Sequence, residues 1–265
     1  MSVLVVEDNQ INRMIAKGWL EKYHHRVTVV ENGLDAWKVA SQQCFDLILM
    51  DMQMPVMDGA EATRRIRALP PPFSEVPIVA LSADALAEHR AAYMDSGLTG
   101  FLTKPIDWRE LDTVLTRIHL GQKTHSAATP DIGRVEPEDL DMRLVDSKRL
   151  HEIRRIMTPP DFDEMVRELI SCNRDEIARL RDAVAHGDLM SVHRSAHTIK
   201  GMFANIGGVR VSAFARRLQA CVDIESVRAL AQAVFKAIDE TEIELTRFIM
   251  APPSHPSHVV QESRA

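Results

Sequence analysis

Residues 1–119 predict a doubly wound α/β domain on a five-stranded parallel sheet, and residues 137–250 predict an all-α four-helix bundle. Three observations lead there. Short apolar runs recur at 3–6, 27–30, 47–50, 76–80 and 100–102, with helical patterns such as 12–21 and 60–69 between them. Strands alternating with longer helices mean repeated βαβ crossovers, which make strands parallel. The runs are nearly all apolar rather than alternating, as expected of strands buried from both faces. Beyond residue 136 no strand-like run is convincing, and apolar residues fall at helical spacing instead.

Taken in order, strand one (3–6) runs into Glu7 and Asp8, and a helix over 12–21 leads to strand two at 27–30. Strand three comprises Leu47, Ile48, Leu49 and Met50, with Asp51 directly after it. The helix over 60–69 is followed by strand four at 76–80, with Ser82 just beyond, and by strand five at 100–102, with Lys104 and Pro105 beyond. Residues 120–136 are polar, contain Gly and Pro, and read as a linker.

The second half opens on a short helix at 145–157, ended by the Pro159–Pro160 pair. A long amphipathic helix over 161–185 places Phe162, Val166, Leu169, Ile177, Leu180 and Val184 near one face. Asp188 is placed to cap a helix reaching about residue 204, Gly207 and Gly208 mark a turn, and helices follow at 211–221 and 224–250. Short turns between such helices make an antiparallel bundle. The tail, 251–265, is expected to be disordered, and its His255 and His258 are too loosely placed for a metal site.

Composition removes several function classes. A chain of 265 residues is comfortable for two domains, and 45% apolar with 26% charged residues is the balance of a globular protein. Lys plus Arg is 32 against 38 for Asp plus Glu, a net charge of −6, so no basic excess argues for non-specific nucleic-acid binding. No apolar stretch approaches a membrane span, and the start lacks the plan of a secretion signal. Cys44, Cys172 and Cys221 are far apart, which suits a reducing cytosolic compartment.

Functional residues of a doubly wound fold gather beyond the carboxyl ends of its strands. There the sequence sets Glu7 and Asp8, Asp51, Ser82 and Lys104, at the ends of strands one, three, four and five. Any one of these alone reads as a cap or a solvated turn residue; the set reads as a pocket. Converging carboxylates need a counter-charge, and Mg²⁺ suits them, since it takes few protein oxygens and keeps room for a phosphate oxygen. A lysine opposite and a hydroxyl at Ser82 would serve the other phosphoryl oxygens, with an aspartate as nucleophile.

These residues carry a resemblance. The stretches VLVVEDNQINR, DLILMDMQMPVMDGAEATRRIR, PIVALSADA and GFLTKPI are similar to the receiver domain of two-component response regulators over essentially all of residues 1–119. The resemblance implies a flavodoxin-like fold with strand order 2-1-3-4-5. It makes Asp51 the phospho-acceptor and gives Mg²⁺ to Glu7, Asp8, Asp51 and the carbonyl of Gln53. It places Ser82 and Lys104 on the phosphoryl group, Phe101 at the aromatic switch position, and a cis bond before Pro105.

In the second half, SVHRSAHTIKGMFANIGG puts His193, His197 and Lys200–Gly201 on one helix face. Imidazole can attack a phosphoryl group at neutral pH, its unperturbed pKa being about 6.5. Gly201 costs the helix roughly 1 kcal/mol against Ala, a cost that makes sense where a side chain would block a partner. His193 reads better as a solvated or core-edge histidine. The run AHTIKGMFANIGG resembles the signature of histidine phosphotransfer (HPt) domains over about residues 140–250. That implies His197 as the phosphorylated residue, Lys200 steadying the phosphoryl group and Gly201 keeping access open; Gln219 takes a place often acidic in the family.

Receiver followed by HPt resembles the C-terminal part of hybrid sensor histidine kinases of the quorum-signal type. The expected function is phosphorelay: Asp51 accepts a phosphoryl group from a histidine kinase domain, in cis or in trans, and passes it via His197 to or from a downstream response regulator. The sequence offers no candidate Gly-rich ATP-binding segment and no kinase helix pair, so the chain reads either as a piece of a hybrid kinase or as a natural stand-alone relay protein; Val3, opening the first strand with no slack, weakly favours excision from a longer chain. The expected place is the cytoplasmic side, with anchoring of the full-length protein in the inner membrane left open. The alternative is an interaction module whose receiver binds or inhibits a partner enzyme, such as a signal synthase. A DNA-binding output is disfavoured, since the bundle offers a histidine motif in place of a basic recognition helix.

Overall fold

The computed structural model describes residues 1–82, 95–120 and 143–250. The first region contains strands β1 (Ser2–Val6), β2 (Arg26–Val30), β3 (Leu47–Asp51), β4 (Ile78–Ser82) and β5 (Gly100–Thr103). Helices α1 (Gln10–Lys22), α2 (Gly33–Ala40), α3 (Gly59–Arg67) and α4 (Trp108–His119) lie among them. All strand pairs are parallel, and the sheet order is β2-β1-β3-β4-β5, the order the resemblance implies.

Period-two alternation divides the strands between two cores. Leu4, Val6, Ile48, Met50, Ile78 and Ala80 face α2 and α3 through Ala36, Ala40, Ala62 and Ile66. Val3, Val5, Leu47, Leu49, Val79 and Leu81 face α1 and α4 through Ala16, Trp19, Leu20, Leu111 and Leu115. One expectation needs correction: β2 is not buried on both faces. It is one of the two sheet edges, with Arg26 and Val29 exposed. Strands β3 and β4 also run further than the apolar pattern, so Asp51 and Ser82 are their last residues.

The helical region contains α5 (Ser147–Ile156), α6 (Pro159–His186), α7 (Leu189–Ile206), α8 (Val209–Gln219) and α9 (Ile224–Met250). The proline pair opens α6 rather than merely ending α5. Pro159 and Pro160 occupy the first turn, where no N–H is needed, and the Thr158 side chain caps it by accepting from the Asp161 N–H. Asp188 caps α7 as expected, accepting from the Ser191 N–H. Gly187 and Gly207 close α6 and α7 at φ of 70° and 85°, in the left-handed region that glycine enters without a Cβ penalty. No helix among the described residues is long and apolar enough to cross a membrane. The expected linker, apart from Leu120, and the tail lie outside the described residues.

Helix α1 has a second apolar face. Ile11 and Ile15 leave the sheet and join the core of the helical region, beside Leu150, Ile153 and Phe162. Both are almost fully buried, at 0% and 2% exposure, and burying two isoleucines contributes roughly 3–6 kcal/mol. Arg149 crosses the same junction. Its Nε donates to the Asn205 carbonyl (3.1 Å), its Nη2 donates to the Ile106 carbonyl (3.2 Å), and its guanidinium lies 5.0 Å from the Trp108 ring.

Candidate functional site

Adjacent parallel strands in register bring their carboxyl ends to one edge, and the expected residues meet there. Glu7, Asp8 and Asp51 each offer a carboxylate oxygen, and these oxygens lie within 4.8 Å of one another. Lys104, at the end of β5, places Nζ 2.6 Å from Glu7 Oε2 and 2.7 Å from Asp51 Oδ2. Its backbone N–H donates to the Ser82 carbonyl (2.8 Å), tying the β4 and β5 ends together. The Lys104–Pro105 bond is cis. The N–H of Gln53 donates to Asp51 Oδ1 (3.1 Å), so the loop after β3 folds back on the aspartate. Phe101 is half-buried on β5 and packs beside the α2–α3 core.

Gly59 makes this loop possible. A Cβ there would stand 2.3 Å from the Asp51 carbonyl oxygen and 2.9 Å from the Met52 Cα, both backbone atoms that cannot yield.

Electrostatics follow from burial. Desolvation pushes the Glu7 carboxyl up to about 7; Lys104 opposes the rise, and Asp51 adds to it. Asp8 is raised too, by burial and then by Asp51. Burial alone would lower the Lys104 ammonium, but the Glu7 and Asp51 charges outweigh it and hold it above its usual range. The cluster is thus one fixed cation among crowded carboxylates, with Glu7 taking up a proton near neutrality. A hard divalent cation would relieve that crowding, so the donor set fits Mg²⁺.

Two residues that the sequence reading passed over shape the pocket. Arg13 Nη1 donates to the carbonyls of Glu7 (2.8 Å) and Asp8 (2.7 Å), fixing the acidic loop. Asn12 Nδ2 donates to Glu7 Oε1 (2.8 Å). Both stand one turn into α1, opposite the acids that they hold, a spacing visible in the sequence once Asn9 is recognised as the helix cap.

The second expected centre lies on α7. His197 faces the Gln219 amide, whose nitrogen is 3.1 Å from Nδ1. That contact holds the ring in one orientation, and the tautomer decides which of the two groups donates. Gln219 is therefore more than a neutral replacement for an acid. His193 contacts the Cys221 carbonyl (2.9 Å) through Nε2, the part of a structural histidine. A Cβ at Gly201 would meet nothing within 4 Å, so its neighbours within the chain tolerate a side chain there. Lys200 is half-buried one turn from His197.

Family models match both regions. Residues 3–116 match the family model "Response regulator receiver domain", and residues 164–248 match "Hpt domain". The sensor protein GacS of Pseudomonas syringae pv. syringae is 43% identical over 117 residues, spanning 43% of this chain and 13% of that protein. The sensor histidine kinase GacS of Pseudomonas protegens is 29% identical over 252 residues, spanning 92% of this chain and 26% of that protein. The chain thus spans about a quarter or less of these relatives. Among solved structures, the receiver domain of the sensor histidine kinase PA1611 from Pseudomonas aeruginosa PAO1, with a magnesium ion in its active-site cleft, is 40% identical. It aligns over 44% of this chain and 97% of its own, with a TM-score of 0.42.

Proposed function

We propose that this chain, which joins a response regulator receiver domain to an Hpt domain, serves phosphorelay signalling, with Asp51 the phospho-acceptor and His197 the second relay site. The observation that carries this reading is the meeting of Glu7, Asp8, Asp51 and Lys104 at one sheet edge. An Asp51 carboxylate oxygen attacks the phosphorus of a donor phosphohistidine. A P–O bond forms, the donor's P–N bond breaks, and the electron pair returns to the donor imidazole. Lys104 turns from the two carboxylates toward the phosphoryl oxygens, Ser82 donates its hydroxyl to another, and Gln53 N–H keeps the aspartate in line. Glu7, Asp8, Asp51 and the Gln53 carbonyl would hold Mg²⁺, which would supply charge neutralisation there. The Phe101 ring follows the rearranged β4 and β5 ends. In the second step His197 Nε2 attacks and the Asp51 acyl phosphate is the leaving side, with Lys200 beside the phosphoryl group and Gly201 leaving room for the incoming domain.

The partners in this reading are a histidine kinase domain and a downstream response regulator, and the matches to the sensor kinases GacS support reading the chain as the receiver and Hpt part of a hybrid kinase. Domain limits of 1–119 and 137–250 accompany this reading. No observation among the described residues favours a signal synthase as partner. The test is intact mass after incubation with Mg²⁺ and a small acyl-phosphate donor. Wild type gains phosphate, Asp51→Asn gains none from the small donor, and His197→Gln still labels Asp51 but passes nothing onward. Wild type without label at Asp51 would sink the proposal.

A further inference from the structure

A chain of amides links the two domains at the acidic pocket. Asn205, in the last turn of α7, donates Nδ2 to Asn12 Oδ1 at 2.5 Å, and Asn12 donates its own Nδ2 to Glu7 Oε1 at 2.8 Å. All three side chains are buried, with exposures of 6%, 9% and 2%. With Glu7 ionised, the polarity of the chain is fixed. An asparagine amide has one donor end and one acceptor end, so occupying the Asn12 oxygen from Asn205 points its nitrogen at Glu7. Ile11 and Ile15, on the same helix as Asn12, lie in the shared core, and Arg149 bonds both the Asn205 and Ile106 carbonyls. Ile106 lies two residues beyond Lys104. The helical domain therefore touches both arms of the pocket, the acid side through Asn12 and the lysine side through the loop after β5.

We propose that Asn205 is a positioning residue for the receiver's metal site: docked in cis, the helical domain orients Glu7 through Asn12 and so strengthens the pocket's hold on a divalent cation. The inference rests on the reading of Glu7, Asp8 and Asp51 as the Mg²⁺ ligands. Outer partners of metal ligands commonly matter tenfold or more to affinity. Asn205 is one bond further out, so its removal is expected to weaken Mg²⁺ binding by roughly 3–10-fold. Polarity gives a sharper signature. A carboxylate at position 205 can only accept, so it turns the Asn12 amide around and sets Oδ1 against Glu7 Oε1. Its added negative charge acts the other way and, by itself, attracts the cation.

The experiment is an amide NMR titration of the full chain with MgCl₂, for wild type, Asn205→Leu and Asn205→Asp, with the Ile11 and Ile15 resonances reporting docking. The expected order of affinity is wild type, then Asn205→Leu, then Asn205→Asp, with docking retained in the leucine variant. Equal affinities in all three overturn the inference. So does tighter binding by Asn205→Asp than by Asn205→Leu, since charge alone then explains the data. An equal loss in both variants together with lost docking also overturns it, assigning the effect to docking as a whole. A wild type that binds no Mg²⁺ sinks the acidic-pocket reading itself, a result distinct from the others.

Discussion

Replacing Glu7 by glutamine should stabilise the metal-free protein at high pH. The Glu7 carboxyl is raised from 4.5 to about 7 by burial, with the attraction of Lys104 already opposing that rise. A shift of that size corresponds to about 3 kcal/mol between the protonation states. The folded chain holds the proton more tightly than the unfolded chain does. Stability is therefore highest below the unfolded value of 4.5 and is lost as pH rises through about 7. Glutamine ionises in neither state, so Glu7→Gln should gain about 3 kcal/mol over wild type at pH 8, and under about 1 kcal/mol at pH 5. With a slope of about 2 kcal/mol per molar urea, the midpoint in EDTA should rise by roughly 1–2 M. Urea unfolding followed by fluorescence of Trp19 and Trp108, which stack at 5.4 Å, would measure it. Added Mg²⁺ should stabilise wild type more than the variant and narrow the gap. A variant that is less stable than wild type at pH 8 in EDTA would refute the reasoning, because the ion pair with Lys104 would then outweigh the burial.

Three further outcomes follow from single residues. Gly201→Leu should leave the melting temperature unchanged or raised, since nothing lies within 4 Å of a Cβ there and glycine costs a helix about 1 kcal/mol; transfer from His197 to a separate receiver should slow at least tenfold, as a stopped-quench assay would read. Gln219→Leu removes the partner of His197 Nδ1 and should slow His197 phosphorylation by about tenfold, with acyl-phosphate labelling of Asp51 unchanged by intact mass. Val56 stands 80% exposed at φ 70° in the loop after Asp51, and a β-branched residue is strained in that region; Val56→Asn should stabilise the receiver by about 1 kcal/mol in urea unfolding.

What could be read from the sequence was what local physics dictates. Apolar runs located five strands because a sheet covered on two faces needs them, and the residues at their ends formed the pocket because parallel register brings those ends together. Asp51 and Ser82 proved to lie inside their strands because polar residues at a strand end do not stop the ladder. β2 looked buried because valines are common in exposed edges as well as in cores. The proline pair looked like an ending, yet the same fixed φ starts a helix. The Asn205–Asn12 bond spans 193 positions, and nothing in either neighbourhood announces the other. Gln219 is similar: its weight depends on α8 lying across from His197, which composition cannot supply.

Helix α1 commits one face to the sheet and another to the bundle, so its side chains answer to two cores at once. This bears on how such modules can be exchanged. A receiver grafted from another protein would carry its own sheet packing intact but would meet α5 and α6 with the wrong residues at positions 11 and 15. Chimeras should therefore succeed when those two positions travel with Leu150, Ile153 and Phe162 of the host, and substitutions on either side should be tolerated in pairs more readily than singly. The junction makes the two halves a matched pair rather than interchangeable cassettes.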